Sequence, residues 1–273
     1  MQPYDLIRAA RDAGRQALSE ADGKKLLQAF GIRVPKFVIA TSAEDVDHVI
    51  DGLRPPFAVK VLSPDILHKS DAGAVVLGVE DLDGVRKAIA AISRLWQVRE
   101  ARVDGYLVEE MCGTGRELVI GSFRDPQFGP MIMVGLGGIF VELLQDVAFR
   151  LCPINRHDAM AMLTQLKAQR VFDGVRGQRA SERRALGERM LKIGGADGLL
   201  MTLDGDVAEL DLNPIIVNDD GAVAVDARLV LAYPPSPPAL STMRHADPAT
   251  TIARFSPLFS PRTIAVLGAS TTS

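Results

Sequence analysis

The chain has 273 residues, 47% of them hydrophobic and 24% charged, and at about 150 residues per domain that allows roughly two units with a real core. Lys plus Arg number 31 against 34 Asp plus Glu, a formal charge of −3, which excludes a basic polymer-binding surface and with it nucleic acid as a partner. The longest apolar run, residues 130–141, is too short for a membrane span and is broken by Gly135, Gly137 and Gly138.

In chain order, MQPYDLIRAARDAG mixes acids and bases and has no apolar signal region, so a cytoplasmic protein is expected. Ser19 stands three before Asp22 like a capping box, and Leu26, Leu27 and Phe30 recur at helical spacing until Gly31, which predicts a helix. Residues 37–40 read as a short strand, Ser42 with Asp45 is expected to cap a helix carrying Val46, Val49 and Ile50, and Pro55-Pro56 ends the connection. FAVKVL at 57–62 and residues 74–79 are strands; Val85, Ala88, Ile89, Ile92 and Trp96 form one helical stripe, and 106–111 is a further strand. ELVIGSF and PMIMVGL predict a hairpin whose loop, RDPQFG, contains turn residues. Residues 156–168 and 181–193 carry helical patterns, whereas 199–203, 207–212, 215–217 and 222–225 have strand character. The class is therefore α/β, built as two α+β lobes.

From Tyr233 the sequence is rich in Pro, Ser and Thr, the composition of an exposed linker. RTIAVLGAS then reads as a buried strand ending at Gly268, the opening of a dinucleotide-type fold, so the chain is expected to be part of a longer polypeptide. Cys112 and Cys152 belong to no CxxC pattern or histidine cluster and are expected to be reduced thiols.

Several polar groups stand where an apolar core alone would not place them. In FAVKVL, alternation puts Lys60 with Ala58 and Leu62, a cation in the middle of an apolar strand that is either an edge-strand lysine snorkelling to water or an anchor for phosphates. His68-Lys69-Ser70-Asp71-Ala72-Gly73 follows, either a solvated polar loop or a phosphate cradle whose imidazole serves as nucleophile or proton carrier. In ELDLNP, period-two alternation lines Glu209, Asp211 and Asn213 on one strand face. A four-residue hairpin loop over 218–221 pairs Val217 with Ala222, and two further steps bring Asn213 opposite Asp226 on the same face. A two-residue loop at Asp220-Gly221 shifts that pair one diagonal step, and an odd-length loop separates it. Oxygen donors of this kind suit Mg²⁺, which completes its shell with substrate phosphates. Glu109, Glu110 and Met111 close a strand at the lobe junction and Glu117 opens the next one, either as ordinary exposed acids or as one wall of an interlobe ligand site. Gly135, Gly137 and Gly138 form either a ligand-facing loop or a tight turn.

Taken together, AVKVLSPDILHKSDAGAV, LVEEMCGTGRELVIG, GLGGIFVELLQDVAFRLCP, AELDLNPIIV and VDARL resemble the ATP-grasp module of NDP-forming acyl-CoA synthetases, above all the ADP-forming acetate–CoA ligases and, more distantly, succinyl-CoA synthetase. The resemblance covers residues 19–231. It implies a two-lobed ATP-grasp fold in residues 1–232, with a first lobe at about 32–108, a second at about 112–232 and the N-terminal helix packed on the second. A linker over 233–255 and the first strand of a Rossmann-like CoA-binding domain over 256–273 would follow. By resemblance, Lys60 is the nucleotide-phosphate lysine, with Lys69, Ser70 and Gly73 beside it; Glu109, Glu110 and Met111 form the adenine hinge, and Glu117 holds the ribose. Asn213 and Asp226 match Mg²⁺ ligands, Asp211 an acid that steadies a phosphohistidine, and His68 the histidine that passes phosphate between the CoA-ligase half and ADP. The cofactors implied are ATP/ADP and Mg²⁺, with CoA bound only by the rest of the parent protein. The partners are that protein's CoA-binding and CoA-ligase domains and a small carboxylic acid, in a full-length homo-oligomer. The chain departs from the family pattern at Ala74, where a second glycine is usual, and at Glu109, where glutamine is common; nucleotide binding is expected to survive both. An acid–CoA ligase activity follows, which the chain alone is not expected to complete. The other readings are a regulatory module of a protein acetyltransferase and an ATP-grasp ligase joining carboxylate to amine.

Overall fold

The computed structural model describes residues 2–66, 69, 72–137, 146–167, 179–218, 221–233 and 248–263. The expected strand at the C-terminal end, part of the glycine loop, and His68 and Ser70 lie outside them. Two helices open the chain, α1 (Pro3–Asp12) and α2 (Glu20–Ala29). α2 starts where expected: the Ser19 side chain accepts the Asp22 N–H at 3.1 Å and donates to the Asp22 carboxylate at 2.8 Å, satisfying an otherwise unpaired first-turn donor. It stops at Gly31, whose φ of +68° is left-handed.

An antiparallel sheet follows, of strands β1 (Phe37–Ala40), β2 (Phe57–Leu62), β3 (Val75–Val79) and β4 (Gly105–Glu110), in the order β1-β4-β2-β3. Between them lie α3 (Val46–Val49), α4 (Leu82–Ile92) and α5 (Trp96–Glu100). One face of the sheet, with Val59, Val61, Tyr106 and Val108, packs on the α4 stripe of Val85, Ala88, Ile89 and Ile92. Trp96 does not join that stripe: α4 ends at Ile92, and Trp96 begins α5 with 71% of its surface exposed. Asp45 precedes α3 without capping it; its carboxylate accepts the Thr41 N–H and hydroxyl instead.

The second sheet is formed by β5 (Arg116–Asp125), β6 (Gly129–Leu136), β7 (Val147–Leu151), β8 (Val207–Asn218), β9 (Gly221–Ala224) and β10 (Arg228–Leu231). All its pairings are antiparallel, in the order β10-β8-β5-β6-β7, with β9 also on β8. The β5–β6 hairpin extends into RDPQFG, pairing Arg124 with Pro130 and Asp125 with Gly129. The helices α6 (Arg156–Gln165), α7 (Arg179–Gly194) and α8 (Leu199–Thr202) complete this lobe. Residues 199–202 are therefore helical, not a strand: in so short an apolar run the two periods look alike, and Leu199, Leu200 and Leu203 are buried in either. The core packs Leu118, Ile120, Ile132, Val134, Leu210 and Leu212 of the sheet against Met162, Leu163, Leu186 and Met190 of the helices. Leu6, Ile7, Leu26 and Leu27 join that core, while Ala21 packs on Leu62 and Leu107 of the first sheet, so α2 touches both lobes. Within the stretch read as linker, residues 248–255 belong to an exposed helix, α9 (Pro248–Phe259).

Candidate nucleotide site

Lys60 stands on β2, hydrogen-bonded between β4 and β3 opposite Leu107 and Val75. It is therefore no edge-strand lysine, and it is only 5% exposed. A charge so placed must be paired. Its ammonium donates to Glu20 of α2 at 2.8 Å, pairs with Glu109 of β4 at 2.8 Å, and reaches the Val225 carbonyl of the second lobe at 3.2 Å. Glu20 also binds Lys24, one helical turn on, at 2.9 Å, and Lys69; Lys24 binds Glu109 as well. Three lysines and two glutamates thus form one buried cluster between α2 and the open face of the first sheet. Burial alone would raise the Glu20 carboxyl, but Lys24, Lys60 and Lys69 outweigh it and hold it well below the usual carboxylate range. Burial would likewise lower Lys60, and Glu20, Glu109 and Asp226 reverse this, leaving the ammonium more basic than an ordinary lysine.

Glu20 and Lys24 escape sequence reading. An acid and a lysine four residues apart look like a surface pair on a helix, and only the packing of α2 on the first sheet buries them. At the end of β4, the Glu109 side chain is spent in this cluster, the Glu110 carboxylate accepts the Arg54 N–H at 3.0 Å, and the half-exposed Met111 sulfur accepts the Gly78 N–H at 3.0 Å. Gly73 follows Lys69 with a φ of +66°, which few other residues adopt.

The β8 hairpin has the expected pairing register, Ile215 facing Ala224 and Val217 facing Ala222, but the ladder runs on to Asn218 and Gly221, residues expected to belong to a four-residue loop. Beyond a break at residues 225–227 the same register resumes, Arg228 facing Asp211. The Val225 N–H bonds the Pro214 carbonyl at 3.0 Å within that break, so Asn213 stands opposite Asp226. On β5 the register slips between Leu118 and Ile120, and the core-facing residues of β8 change from Leu210 and Leu212 to Ile215 and Val217. A bulge at Asn213-Pro214 explains both, and it accommodates a proline in a strand paired on both sides. The consequence is an exposed Asn213 beside the half-buried Asp211 and Asp226. Burial raises the Asp211 carboxyl, Arg228 opposes this, and Asp226 and Glu209 add to it. The exposed Glu117 faces Ile216, and its carbonyl accepts the Gly137 N–H at 2.8 Å. A Cβ on Gly137 would lie 2.9 Å from the Glu117 carbonyl carbon, so this glycine is needed for the close approach.

The Lys60–Val225 bond brings the lysine of the first lobe to the hairpin break that carries Asp226. Among the described residues no group of three or more His, Cys, Asp or Glu side chains is placed to hold a metal. Mg²⁺ does not require one, since one or two carboxylates plus phosphate oxygens suffice, and the Asn213 and Asp226 oxygens fit that donor set. Cys112 and Cys152 are free thiols, and burial pushes Cys152 up to about 12.

A family model described as an ATP-grasp domain matches residues 9–231. The beta subunit of ADP-forming acetate–CoA ligase I from Pyrococcus furiosus is 38% identical over 229 residues, covering 83% of this chain and 97% of that protein. ADP-forming acetate–CoA ligase I from Archaeoglobus fulgidus is 37% identical, with 83% of this chain matching 33% of that protein. Among solved structures, acetyl-coenzyme A synthetase 1 of Ca. Korarchaeum cryptofilum, in complex with coenzyme A, Ca-AMPCP and HgCl⁺, aligns with a TM-score of 0.78 at 36% identity, covering 85% of this chain and all of that one. The chain spans nearly the whole of one relative and about a third of another; the family model's match over residues 9–231 takes in both sheets and the lysine cluster. The chain belongs to the ATP-grasp family, in the branch that forms the ATP-grasp part of ADP-forming acid–CoA ligases.

Proposed function

We propose that this chain is the nucleotide-binding, phosphoryl-transfer part of an ADP-forming acyl-CoA synthetase, which converts a small carboxylic acid, CoA and ATP to acyl-CoA, ADP and phosphate. The observation that carries the reading is the buried Lys60, whose ammonium spans from the first sheet to the hairpin break beside Asp226. Lys60 and Lys69 bind the phosphates, with Ser70 and Gly73 shaping the loop around them. The 109–111 segment lines the adenine and Glu117 takes the ribose. Asn213 and Asp226 hold Mg²⁺, which supplies positive charge to the phosphate oxygens when bound.

His68 is the nucleophile. In the ATP-consuming direction one of its ring nitrogens forms a bond to the γ-phosphorus as the bond to the β–γ bridging oxygen breaks, and ADP leaves with the electron pair. Asp211 is the acid that steadies a phosphohistidine. The phosphate then passes to the CoA-binding and CoA-ligase domains of the parent protein, where the acid is activated. The relatives support this, since the solved one is described with coenzyme A and Ca-AMPCP together.

The test is ATP–ADP phosphoryl exchange by the whole protein. His68→Ala is expected to abolish exchange while ATP affinity stays within about twofold, the behaviour of a residue used only in the reaction. A large loss of affinity would make His68 a binding residue and overturn its assignment.

A further inference from the structure

We propose that Glu20 is a positioning residue: its two carboxylate oxygens hold Lys60 and Lys69 side by side as one anion-binding pair, with Lys24 as its buried counter-ion. The inference rests on the phosphate-binding role of the two lysines proposed above. Lys60 belongs to β2 and Lys69 to the connection leading to β3, yet both reach the same carboxylate, Lys60 on Oε1 and Lys69 on Oε2. Lys24 shares Oε1 at 2.9 Å.

The three lysine side chains are graded in exposure, Lys24 at 0%, Lys60 at 7% and Lys69 at 15%. The cluster therefore opens to solvent at the end carrying the two candidate phosphate ligands, while Lys24 is sealed behind them. An ammonium has three N–H donors, and Lys60 meets three acceptors: Glu20, Glu109 and the neutral Val225 carbonyl. A phosphate oxygen that replaces Val225 exchanges a neutral acceptor for an anionic one, while Glu20 and Glu109 keep the ammonium aimed. Lys69 directly follows His68, so the same carboxylate anchors the neighbour of the proposed phosphoacceptor. For packing alone, apolar side chains of similar volume would cost less than four buried charges and a fifth that is partly buried. Helix α2 is thus part of the nucleotide site although its residues need not touch the nucleotide.

The experiment is calorimetric titration of the full chain with Mg-ADP and with adenosine, which lacks phosphates. The Glu20→Gln variant is expected to bind ADP at least tenfold more weakly, with adenosine affinity within twofold of wild type. In a Lys60→Ala, Lys69→Ala background the Glu20 change is expected to add less than a twofold further loss. Glu20→Asp keeps the charge but shortens the reach, and if Glu20→Gln fails to fold it carries the test, with an expected ADP loss of at least threefold and unchanged adenosine binding. An equal loss for both ligands would mean a merely structural role, and unchanged ADP binding would overturn the proposal outright. If Lys60→Ala and Lys69→Ala each leave ADP binding intact, the phosphate-lysine reading itself fails and the inference falls with it.

Discussion

The buried cluster makes a stability prediction that depends on counting charges. Its three ammoniums and two carboxylates become three against one in Glu20→Gln, stranding cations between α2 and the first sheet. Removing one partner of a buried pair costs about 3–5 kcal/mol. Lys24→Met instead leaves two against two in the same volume, so its cost is limited to the lost charge-assisted bonds, about 2 kcal/mol. Urea unfolding at pH 7 measures both as midpoint shifts at constant slope. The Glu20 carboxyl is held below its ordinary value of 4.5, so its stabilisation is complete above that pH and is lost as pH falls toward the folded-state value. The gap between wild type and Glu20→Gln must therefore narrow in acid. A Lys24→Met variant as unstable as Glu20→Gln, or a gap independent of pH between 7 and 3, would refute the charge-balance argument.

Two other substitutions probe the second lobe. Gly137→Ala puts a methyl 2.9–3.0 Å from the Glu117 backbone and Cβ and is expected to cost about 1–3 kcal/mol as overpacking, with weaker ADP binding in calorimetry; unchanged stability and affinity would show that Glu117 needs no such close contact. Asp211→Asn removes a carboxyl that burial raises above its ordinary 3.8. The stability linked to that group is present below 3.8 and lost as pH rises through its folded-state value. Asp211→Asn is therefore expected to raise the melting temperature at neutral pH while slowing phosphoryl exchange, and a lowered melting temperature would contradict the account.

The strands that frame the site were legible as short apolar runs bounded by turn residues. FAVKVL coincides with β2, and the hairpin register read from the sequence is the one observed, although the ladder extends to Asn218 and Gly221, inside the four-residue loop expected there. The bulge that exposes Asn213 was not legible, since Pro214 signals an irregularity without saying how the partner strand absorbs it. Lys60 stood out as a cation among apolar neighbours, but its central position depends on β3 and β4, more than ten residues away in the chain. Glu20 and Lys24 carry no local signal: capping and helical spacing fix α2, whereas its burial against the first sheet is a tertiary fact. Trp96 and Leu199 show the opposite error, apolar residues assigned to the nearest periodic pattern when a helix boundary or a short helix takes them elsewhere.

The most direct test of the central claim is calorimetric titration of this chain with ATP and ADP, with and without Mg²⁺, alongside Lys60→Ala and Asp226→Ala. The account predicts Mg²⁺-dependent binding to the wild type that each substitution weakens at least tenfold, because the two residues lie on the two lobes that the Lys60–Val225 bond brings together. Folded wild-type protein that binds neither nucleotide, or binding indifferent to both substitutions, would contradict it.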